Sequence, residues 1–474
     1  MPVGKNITHL NAITLPILSG IIIWLLPSPT GVEEKAWHLL AIFVATIIGF
    51  IVKPLPMGTV ALIALIALVM TKTLTLVEGL SGFSHPTSWL TFSSFLIARG
   101  FIKTGLDNSI AYLFIKILGQ NTLFLSYGLL ATDLILSPGM PSGNARAGGV
   151  IFPLVKSLAK FYKSEPHDGS SRKIGSFLMI TSFQGTQITT ALFFTAMVAN
   201  PLMVNLAEEI VNVKITWITW ALAALVPGII TLLIMPLVIY VYYPPAIKYT
   251  PEAPTLAKHA LAEMGKVSSQ ECLMAGTFLL LLLCWTFGDY LGGITSTTTA
   301  LVGVVLLVVT NVLSWSEILA EQKAWNILIW FSILLMMATF LNEFGLISWM
   351  SQQVEGLVNG LSWQLAFLLL STVYFYTGYF FASKAARASA MYAPFLSVAI
   401  AAQTPPIYAA LILAFLLNLS GCLTHYGTAV APIFFGSGYI EVSAWWKLGF
   451  ILSLVYLPIW LLIGGVWWRV LGLF

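Results

Sequence analysis

Apolar runs cover nearly the whole of this 474-residue chain, and many are long enough to cross a lipid bilayer. Only 8% of the residues are charged, against about a quarter in soluble domains, so an ordinary soluble globular protein is excluded. The runs that can span a membrane, or enter it and return, lie near 10–27, 36–52, 57–74, 89–118, 174–210, 215–243, 271–289, 293–313, 325–350, 406–440 and 445–472. They predict one all-α polytopic membrane domain, residues 1–474, with about 11 transmembrane helices.

Two further pairs of apolar segments are each interrupted by a short stretch rich in glycine, serine or charge. The first pair lies within 122–160, and the second lies within 364–402. Irregular backbone survives at membrane depth only where it is buried in protein or lines a cavity. We therefore expect two re-entrant hairpins over these ranges, with tips that mark a candidate binding site.

The two interruptions are related in sequence. SGNARAGGVIFPL at 142–154 and SKAARASAMYAPF at 383–395 share serine, alanine, arginine and proline positions at an offset of 241 residues, which is 383 − 142. Downstream, TQITTA at 186–191 matches THYGTA at 424–429 in the same order.

Upstream of the interruptions, KTGL at 103–106 aligns in sequence with EFGL at 343–346 at nearly the same offset. Together these matches predict inverted repeats over about 36–243 and 271–474. Two such repeats, each with a broken segment near the membrane midplane, are typical of secondary transporters.

Lysine and arginine are concentrated in two loops, which the positive-inside rule assigns to the cytoplasm. The basic residues of these loops are Lys156, Lys160, Lys163, Arg172, Lys173, Lys248, Lys258 and Lys266. Segments 351–363 and 402–406 contain none and are expected outside. The pattern predicts a cytoplasmic N-terminus and an external C-terminus, with a bacterial inner membrane as the expected location. Because these basic residues form no single stripe, membrane lipid and not nucleic acid is the expected partner.

The hairpin tips carry the groups that an anion site at membrane depth requires: hydrogen-bond donors, helix N-termini and fixed cations. Ser142, Gly143 and Asn144 precede a helix that is expected to begin near Ala145. Ser383, at the equivalent position, opens the second tip. An ordinary serine or asparagine helix cap between packed spans is the alternative interpretation.

Lys384 and Arg387 lie in the second interruption, and Arg146 is the equivalent of Arg387 in the first. A cation in an apolar segment costs on the order of 3 kcal/mol on insertion scales and is seldom kept without a partner. A bound carboxylate would be such a partner. For the arginines the alternatives are pairing with a fixed acid such as Asp133, or extension toward the membrane interface.

Further polar groups lie at matching places downstream of each interruption. His425 is either a hydrogen-bonded buried histidine or a third donor to an anion. The complete set of candidate substrate-binding residues is Ser142, Gly143, Asn144, Arg146, Thr189, Thr190, Ser383, Lys384, Ala385, Arg387, Thr424, His425 and Thr428.

The apolar runs contain no hydrolase elbow, P-loop or HExxH motif, so an enzyme is disfavoured and no cofactor is expected. Cys272, Cys284 and Cys422 have no CxxC spacing, and no metal site is indicated. A channel is a second alternative, favoured if the glycine-rich interruptions lined an open pore. Buried cations argue against it.

At these residues the sequence resembles the divalent anion/sodium symporter family, in particular its bacterial citrate and tartrate exchangers and its plastid 2-oxoglutarate/malate translocators. PSGNARAGG at 141–149 is similar to the family's first hairpin-tip motif. THYGTAVAPIFFGSGY at 424–439, with WWKLGF at 445–450, is similar to a second-half segment of the exchangers. The resemblance implies a homodimer with an elevator mechanism, in which a transport domain holding both hairpins slides against a scaffold.

In the sodium-coupled members each tip reads Ser-Asn-Thr, and the asparagine helps to bind sodium. Here the second tip reads Ser-Lys-Ala at 383–385 and the first reads Ser-Gly-Asn at 142–144. The ammonium of Lys384 would repel a sodium ion strongly in a low-dielectric site. We therefore expect a sodium-independent exchanger of di- or tricarboxylates, of the 2-oxoglutarate, malate, succinate and citrate class. The alternative is a sodium-coupled dicarboxylate symporter of the same fold.

Overall fold

The computed structural model describes residues 3–288, 290, 292–346, 349 and 362–474, with side chains from residue 14 onward, and regular structure in these ranges is helical. The α-helices are α1 (Val3–Leu25), α2 (Glu34–Val52), α3 (Met57–Met70), α4 (Leu76–Ser84), α5 (Pro86–Thr104), α6 (Leu106–Leu118), α7 (Thr122–Leu136), α8 (Phe152–Phe161), α9 (Gly175–Leu192), α10 (Ala199–Val211), α11 (Trp217–Tyr242), α12 (Ala253–Met264), α13 (Ser269–Phe287), α14 (Ser296–Val309), α15 (Trp315–Ala320), α16 (Gln322–Glu343), α17 (Trp363–Tyr376), α18 (Lys384–Ala401), α19 (Pro406–Leu419), α20 (Ala431–Phe435), α21 (Val442–Pro458) and α22 (Gly464–Val470). The predicted all-α class is confirmed. The predicted external segment 351–363 lies outside the described residues except at 362–363.

Five of the described helices are long and apolar enough to cross a membrane. They are Glu34–Val52, Trp217–Tyr242, Ser269–Phe287, Gln322–Glu343 and the continuous helical segment Val442–Val470. Shorter apolar helices, including α3, α7, α14 and α19, pack between them.

Three of the predicted spans are interrupted. The span 89–118 divides at Gly105, whose φ of 76° is a left-handed conformation that ends α5 and favours glycine. The span 174–210 divides at 193–198, where the Asn200 side chain donates to the carbonyl oxygens of Thr190 and Phe193. The third span, 406–440, leaves α19 through a 3₁₀ turn at Ser420–Cys422.

The segment Asn144–Ile151 is a π-helix, where an ordinary helix was expected. Its Gly148 and Gly149 have low helix propensity, and Pro153 just beyond it cannot donate a backbone hydrogen bond. These residues weaken the regular α-helical ladder, so the wider π turn takes its place.

The chain on both sides of the segment 122–161 is hydrogen-bonded to one connecting segment, 244–250. The Thr122 backbone N–H donates to the carbonyl oxygen of Lys248 at 3.0 Å, and that of Thr250 donates to Gln120 at 2.9 Å. The Ala246 N–H donates to Arg172 at 2.9 Å, in the loop that follows α8. The chain therefore leaves and re-enters this region on the same side of the molecule.

The two ends of the segment 363–401 also lie near each other. Trp363 and Phe367, at the start of α17, have ring centroids 6.1 and 5.4 Å from that of Tyr408, which follows α18. Tyr408 also lies 4.8 Å from Phe474 at the C-terminus. The C-terminus and both ends of this segment thus share one side of the protein.

Gly82 lies at a close crossing between α4 and α16. A Cβ at this position would overlap the Ser332 carbonyl oxygen and lie 2.8 Å from the carbonyl carbon. We expect Gly82→Ala to destabilise the protein by about 1–3 kcal/mol, because backbone cannot move aside as a flexible side chain can. Thermal unfolding in detergent measures the effect. Gly276→Ala is the control, since a Cβ there meets nothing within 4 Å; equal stability of the two variants would contradict the prediction.

Glu317, in the short helix α15 between two predicted spans, accepts a hydrogen bond from Lys103 at 2.7 Å, which lowers the pKa of Glu317 from its ordinary 4.5 to about 2. Because both side chains are 29% exposed, we expect Glu317→Gln to cost no more than about 1 kcal/mol. A lowered pKa stabilises the fold above pH 4.5, and this stabilisation is lost as pH falls toward 2. Unfolding measured at a series of pH values should show the variant and the original protein converging over that interval. A difference that stays undiminished as the pH falls from 4.5 through about 2 would contradict the assignment.

Candidate functional site

The two predicted hairpin tips, around Ser142 and Ser383, have the same local geometry. The Ala145 N–H donates to the Ser142 hydroxyl oxygen at 3.3 Å, and the Ala386 N–H donates to the Ser383 hydroxyl oxygen at the same distance. In each tip the arginine that follows donates its backbone N–H to the serine carbonyl oxygen at 3.0 Å. Both serines therefore act as helix caps, as the simpler interpretation of the sequence predicts.

The tips approach each other at Thr190, in α9. The Lys384 ammonium lies 3.4 Å from the Thr190 hydroxyl oxygen. A Cβ on Gly143, in the other tip, would lie 3.9 Å from the Thr190 methyl carbon. Thus Gly143, Thr190 and Lys384, all predicted from sequence, occur together.

Gly421 provides the space in which Lys384 lies. A Cβ at Gly421 would be 2.6 Å from both the Lys384 Cε and the Thr428 methyl carbon, and it would overlap the Gln187 side-chain oxygen. Thr428 is therefore a neighbour of Lys384, and its hydroxyl oxygen caps α20 by accepting from the Ala431 N–H at 3.1 Å. Sequence analysis did not identify Gln187 or Gly421 as site residues.

Arg146 is fully buried and paired with a carboxylate. Its Nε donates to an Asp133 oxygen at 3.0 Å, and its Nη1 donates to the carbonyl oxygens of Ala196, at 3.0 Å, and Met140. The other Asp133 oxygen accepts from the Thr189 hydroxyl. Of the three roles considered for Arg146, pairing with a fixed acid is the one observed, and Thr189 contacts this acid.

Arg387, at the equivalent position, has only neutral acceptors among the described residues. Its Nε donates to the Thr377 hydroxyl at 3.2 Å, and its two Nη atoms donate to the Ser420 hydroxyl and the Tyr374 carbonyl oxygen. The guanidinium carbon lies 4.7 Å from the centre of the Tyr374 ring. Within the described part of the chain, neither Arg387 nor Lys384 forms an ion pair.

A small cavity of about 10 Å³ lies beside these two cations, enough for about one water molecule. It is lined by Gly378, Phe381, Ser383, Lys384, Arg387, Ser420, Gly421 and Gly427. This space is smaller than a dicarboxylate.

His425 belongs to an aromatic cluster beside this region. Its Nδ1 accepts a hydrogen bond from the Trp446 indole at 3.0 Å, and its ring lies 4.5 Å from the Phe435 ring. These contacts match the alternative in which His425 is a hydrogen-bonded, half-buried side chain. The neighbouring Thr424 is buried, and its hydroxyl has no hydrogen-bond partner within the described residues.

The remaining predicted site residues, Asn144 and Ala385, lie two positions after the capping serines. Asn144 is exposed and is the first residue of the π-helix, and Ala385 is half-buried and is the second residue of α18. They lie at the tips as predicted.

The side chains of Asn200 in α10 and Asn418 in α19 form a hydrogen-bonded pair next to Thr190. This pair was not predicted from the sequence. The Asn418 side chain donates to the Asn200 side-chain oxygen at 2.8 Å, across 218 positions of sequence. Asn200 in turn donates to the Thr190 carbonyl oxygen at 2.9 Å. The available signal was the presence of asparagines within two apolar runs, because buried amides require partners.

Comparison with known proteins places this arrangement in a family of transporters. Residues 7–474 match the family model described as the sodium:sulfate symporter transmembrane region. The chain is 53% identical to the putative malate transporter YflS of Bacillus subtilis, over 99% of this chain and 98% of the other.

Two further relatives have names that specify substrates. Dicarboxylate transporter 1 of the spinach (Spinacia oleracea) chloroplast is 50% identical over 96% of this chain and 80% of the relative. The L-tartrate/succinate antiporter of Escherichia coli is 34% identical over 95% and 96% of the two chains.

A solved structure supports the fold alone. MtrF of Neisseria gonorrhoeae aligns with a TM-score of 0.57 at 14% identity, covering 97% of this chain and 94% of that one. Together with the family match and the apolar helices, this similarity identifies a multi-pass integral membrane protein. The chain belongs to the sodium:sulfate symporter transmembrane family, the divalent anion/sodium symporters that its hairpin motifs resemble.

Proposed function

We propose that the protein is a sodium-independent exchanger of dicarboxylates. The observation that carries this proposal is the presence of two cations without a carboxylate partner, Lys384 and Arg387, at the tip of the second hairpin. A cation in a water-poor site is stabilised when an anion binds beside it. Two cations suit a substrate that has two carboxylates.

Obligate exchange follows from the cost of moving the empty site. Without substrate, the uncompensated charges of Lys384 and Arg387 would have to cross the low-dielectric part of the membrane. A bound dicarboxylate cancels them, so the loaded carrier crosses more easily than the empty one. In this scheme the fixed ammonium performs the role that sodium has in coupled relatives.

The substrate class is supported by the relatives. Their names specify malate, dicarboxylates, and tartrate with succinate, and the last of these proteins is named an antiporter. We extend this class, including the larger 2-oxoglutarate and citrate, to the present chain.

Two re-entrant hairpins in an inverted repeat are part of the proposal. Helix α7 has 15 residues, about 22 Å at 1.5 Å per residue, short of a hydrocarbon core of about 30 Å. The shared side of both ends of each segment supports the same topology. The repeat is supported by the matched serine caps and by Gly105 and Gly345, both with φ of 76°.

The orientation and mechanism rest on the same features. The basic loop after α8 and the segment 244–250 lie on one side, which agrees with a cytoplasmic assignment for both. We propose a homodimer in a bacterial inner membrane, with an external C-terminus, in which the two hairpins move as an elevator against a scaffold.

Transport by proteoliposomes tests the function directly. Labelled succinate uptake is measured with and without internal unlabelled succinate, in sodium and in choline buffer, followed by a panel of other diacids and citrate. The proposal expects uptake that requires internal diacid and is the same in both buffers. Uptake into empty vesicles that follows a sodium gradient would replace it with the symporter alternative, and conductance without counter-transport would favour a channel.

A further inference from the structure

The two buried arginines differ in the residue that lies thirteen positions before each. Arg146 donates from Nε to Asp133, and Arg387 donates from Nη2 to Tyr374, with the same separation of 13 residues. Asp133 and Tyr374 are themselves related by the repeat offset of 241, since 374 − 133 equals 387 − 146. The two halves therefore place a carboxylate and a phenol at one equivalent position.

This difference changes the charge of the site. Asp133 cancels the charge of Arg146 through a hydrogen-bonded ion pair that is fully buried. Tyr374 offers Arg387 a backbone carbonyl oxygen and a ring face, both neutral. The first half thus contributes no net charge, and the second contributes the charges of Arg387 and Lys384.

The Tyr374 side chain is held firmly in this position. It is fully buried, and its ring packs against Phe395 with a centroid distance of 4.9 Å. Its hydroxyl has no hydrogen-bond partner among the described residues, so the hydroxyl group makes no contact that explains a tyrosine here. What the residue provides is a buried neutral surface for the guanidinium.

We propose that Tyr374 and Asp133 set the charge of the anion that the protein carries. Asp133 cancels the charge of one of the three cations, Arg146, and Tyr374 leaves the charges of Arg387 and Lys384 available, so the site selects dianions. This inference rests on the proposed function, and it assigns both residues as positioning residues that determine specificity through the arginines.

Three anions of similar skeleton and increasing charge test the inference: butyrate, succinate and tricarballylate. Each is used unlabelled at neutral pH to inhibit labelled succinate exchange in proteoliposomes. Tyr374→Asp gives Arg387 a carboxylate at the spacing that Asp133 uses for Arg146. We expect this variant to reduce the preference for succinate over butyrate at least about tenfold, because one cation is now cancelled.

The opposite change should move the preference in the opposite direction. Asp133→Asn keeps the size of the side chain and leaves Arg146 without a counter-ion. Inhibition by tricarballylate should therefore strengthen relative to inhibition by succinate by about tenfold or more. Combining Asp133→Asn with Tyr374→Asp restores two uncompensated cations and should restore the preference for succinate. Tyr374→Asn is the matched control, because it has the size of aspartate without the charge; its inhibition ratios should equal those of the original protein, whatever its rate.

Inhibition ratios are independent of how much protein folds, which separates a charge effect from a loss of structure. Equal shifts for Tyr374→Asp and Tyr374→Asn would overturn the inference, as would no shift in either single charge variant. If Tyr374→Asp does not insert into the membrane, the inhibition ratios of Asp133→Asn decide the inference alone. If both charge variants fail to insert while Tyr374→Asn inserts, that result also counts against a role in substrate charge. If the original protein exchanges no dicarboxylate, the proposed function itself has failed, which is a distinct result.

Discussion

Replacing Lys384 by methionine is expected to reduce dicarboxylate exchange at least about thirtyfold, because removing one partner of a desolvated, hydrogen-bonded charge pair costs about 2–5 kcal/mol. Methionine keeps an unbranched chain in the space beside Gly421 and removes only the ammonium. The measurement is the initial rate of labelled succinate exchange in vesicles loaded with unlabelled succinate, normalised to the amount of inserted protein.

Lys258→Met is the matched control for this variant. Lys258 is exposed on α12 and belongs to the loop assigned to the cytoplasm, so the same substitution there should leave exchange unchanged. Near-normal exchange in Lys384→Met would show that the ammonium does not hold a substrate carboxylate. It would also remove the physical basis for obligate exchange.

The second large effect concerns stability. Asp133→Ala should destabilise the protein by about 3–5 kcal/mol, because it leaves the Arg146 charge buried without a counter-ion. The Thr189 hydroxyl loses its acceptor in the same step. Thermal unfolding of the purified protein in detergent, followed by intrinsic tryptophan fluorescence, measures the loss.

Removing both charges distinguishes a broken ion pair from a simple cavity. The double variant Asp133→Ala/Arg146→Met has no uncompensated charge and should be more stable than Asp133→Ala alone. A double variant that is less stable than the single one would mean that the contacts of Arg146 with the carbonyl oxygens of Met140 and Ala196 matter more than its charge.

Local sequence signals were enough to predict the tips. Ser142 and Ser383 are capping residues at equivalent positions, and capping depends on the few residues around a helix start. The approach of Gly143, Thr190 and Lys384 was also predictable, because a repeat with broken segments brings equivalent parts together. For Arg146, the pairing with Asp133 appeared in the sequence as one of two open alternatives.

The remaining features depend on contacts between distant parts of the chain. No local pattern indicates that Arg387 is bound by a backbone oxygen and a ring face, since its acceptors are neutral groups that every sequence contains. The link between Asn200 and Asn418 crosses 218 positions. The small volume of the cavity beside Lys384 is set by how several elements pack, which hydrophobic periodicity does not encode.

The two proposed hairpins are attached differently within the described part of the chain. The first is joined to 244–250 by directional backbone hydrogen bonds, which weaken steeply when misaligned. The described attachment of the second is the packing of Trp363 and Phe367 on Tyr408, and apolar contact is non-directional. We therefore expect a sliding force to displace the second from its attachment more readily than the first.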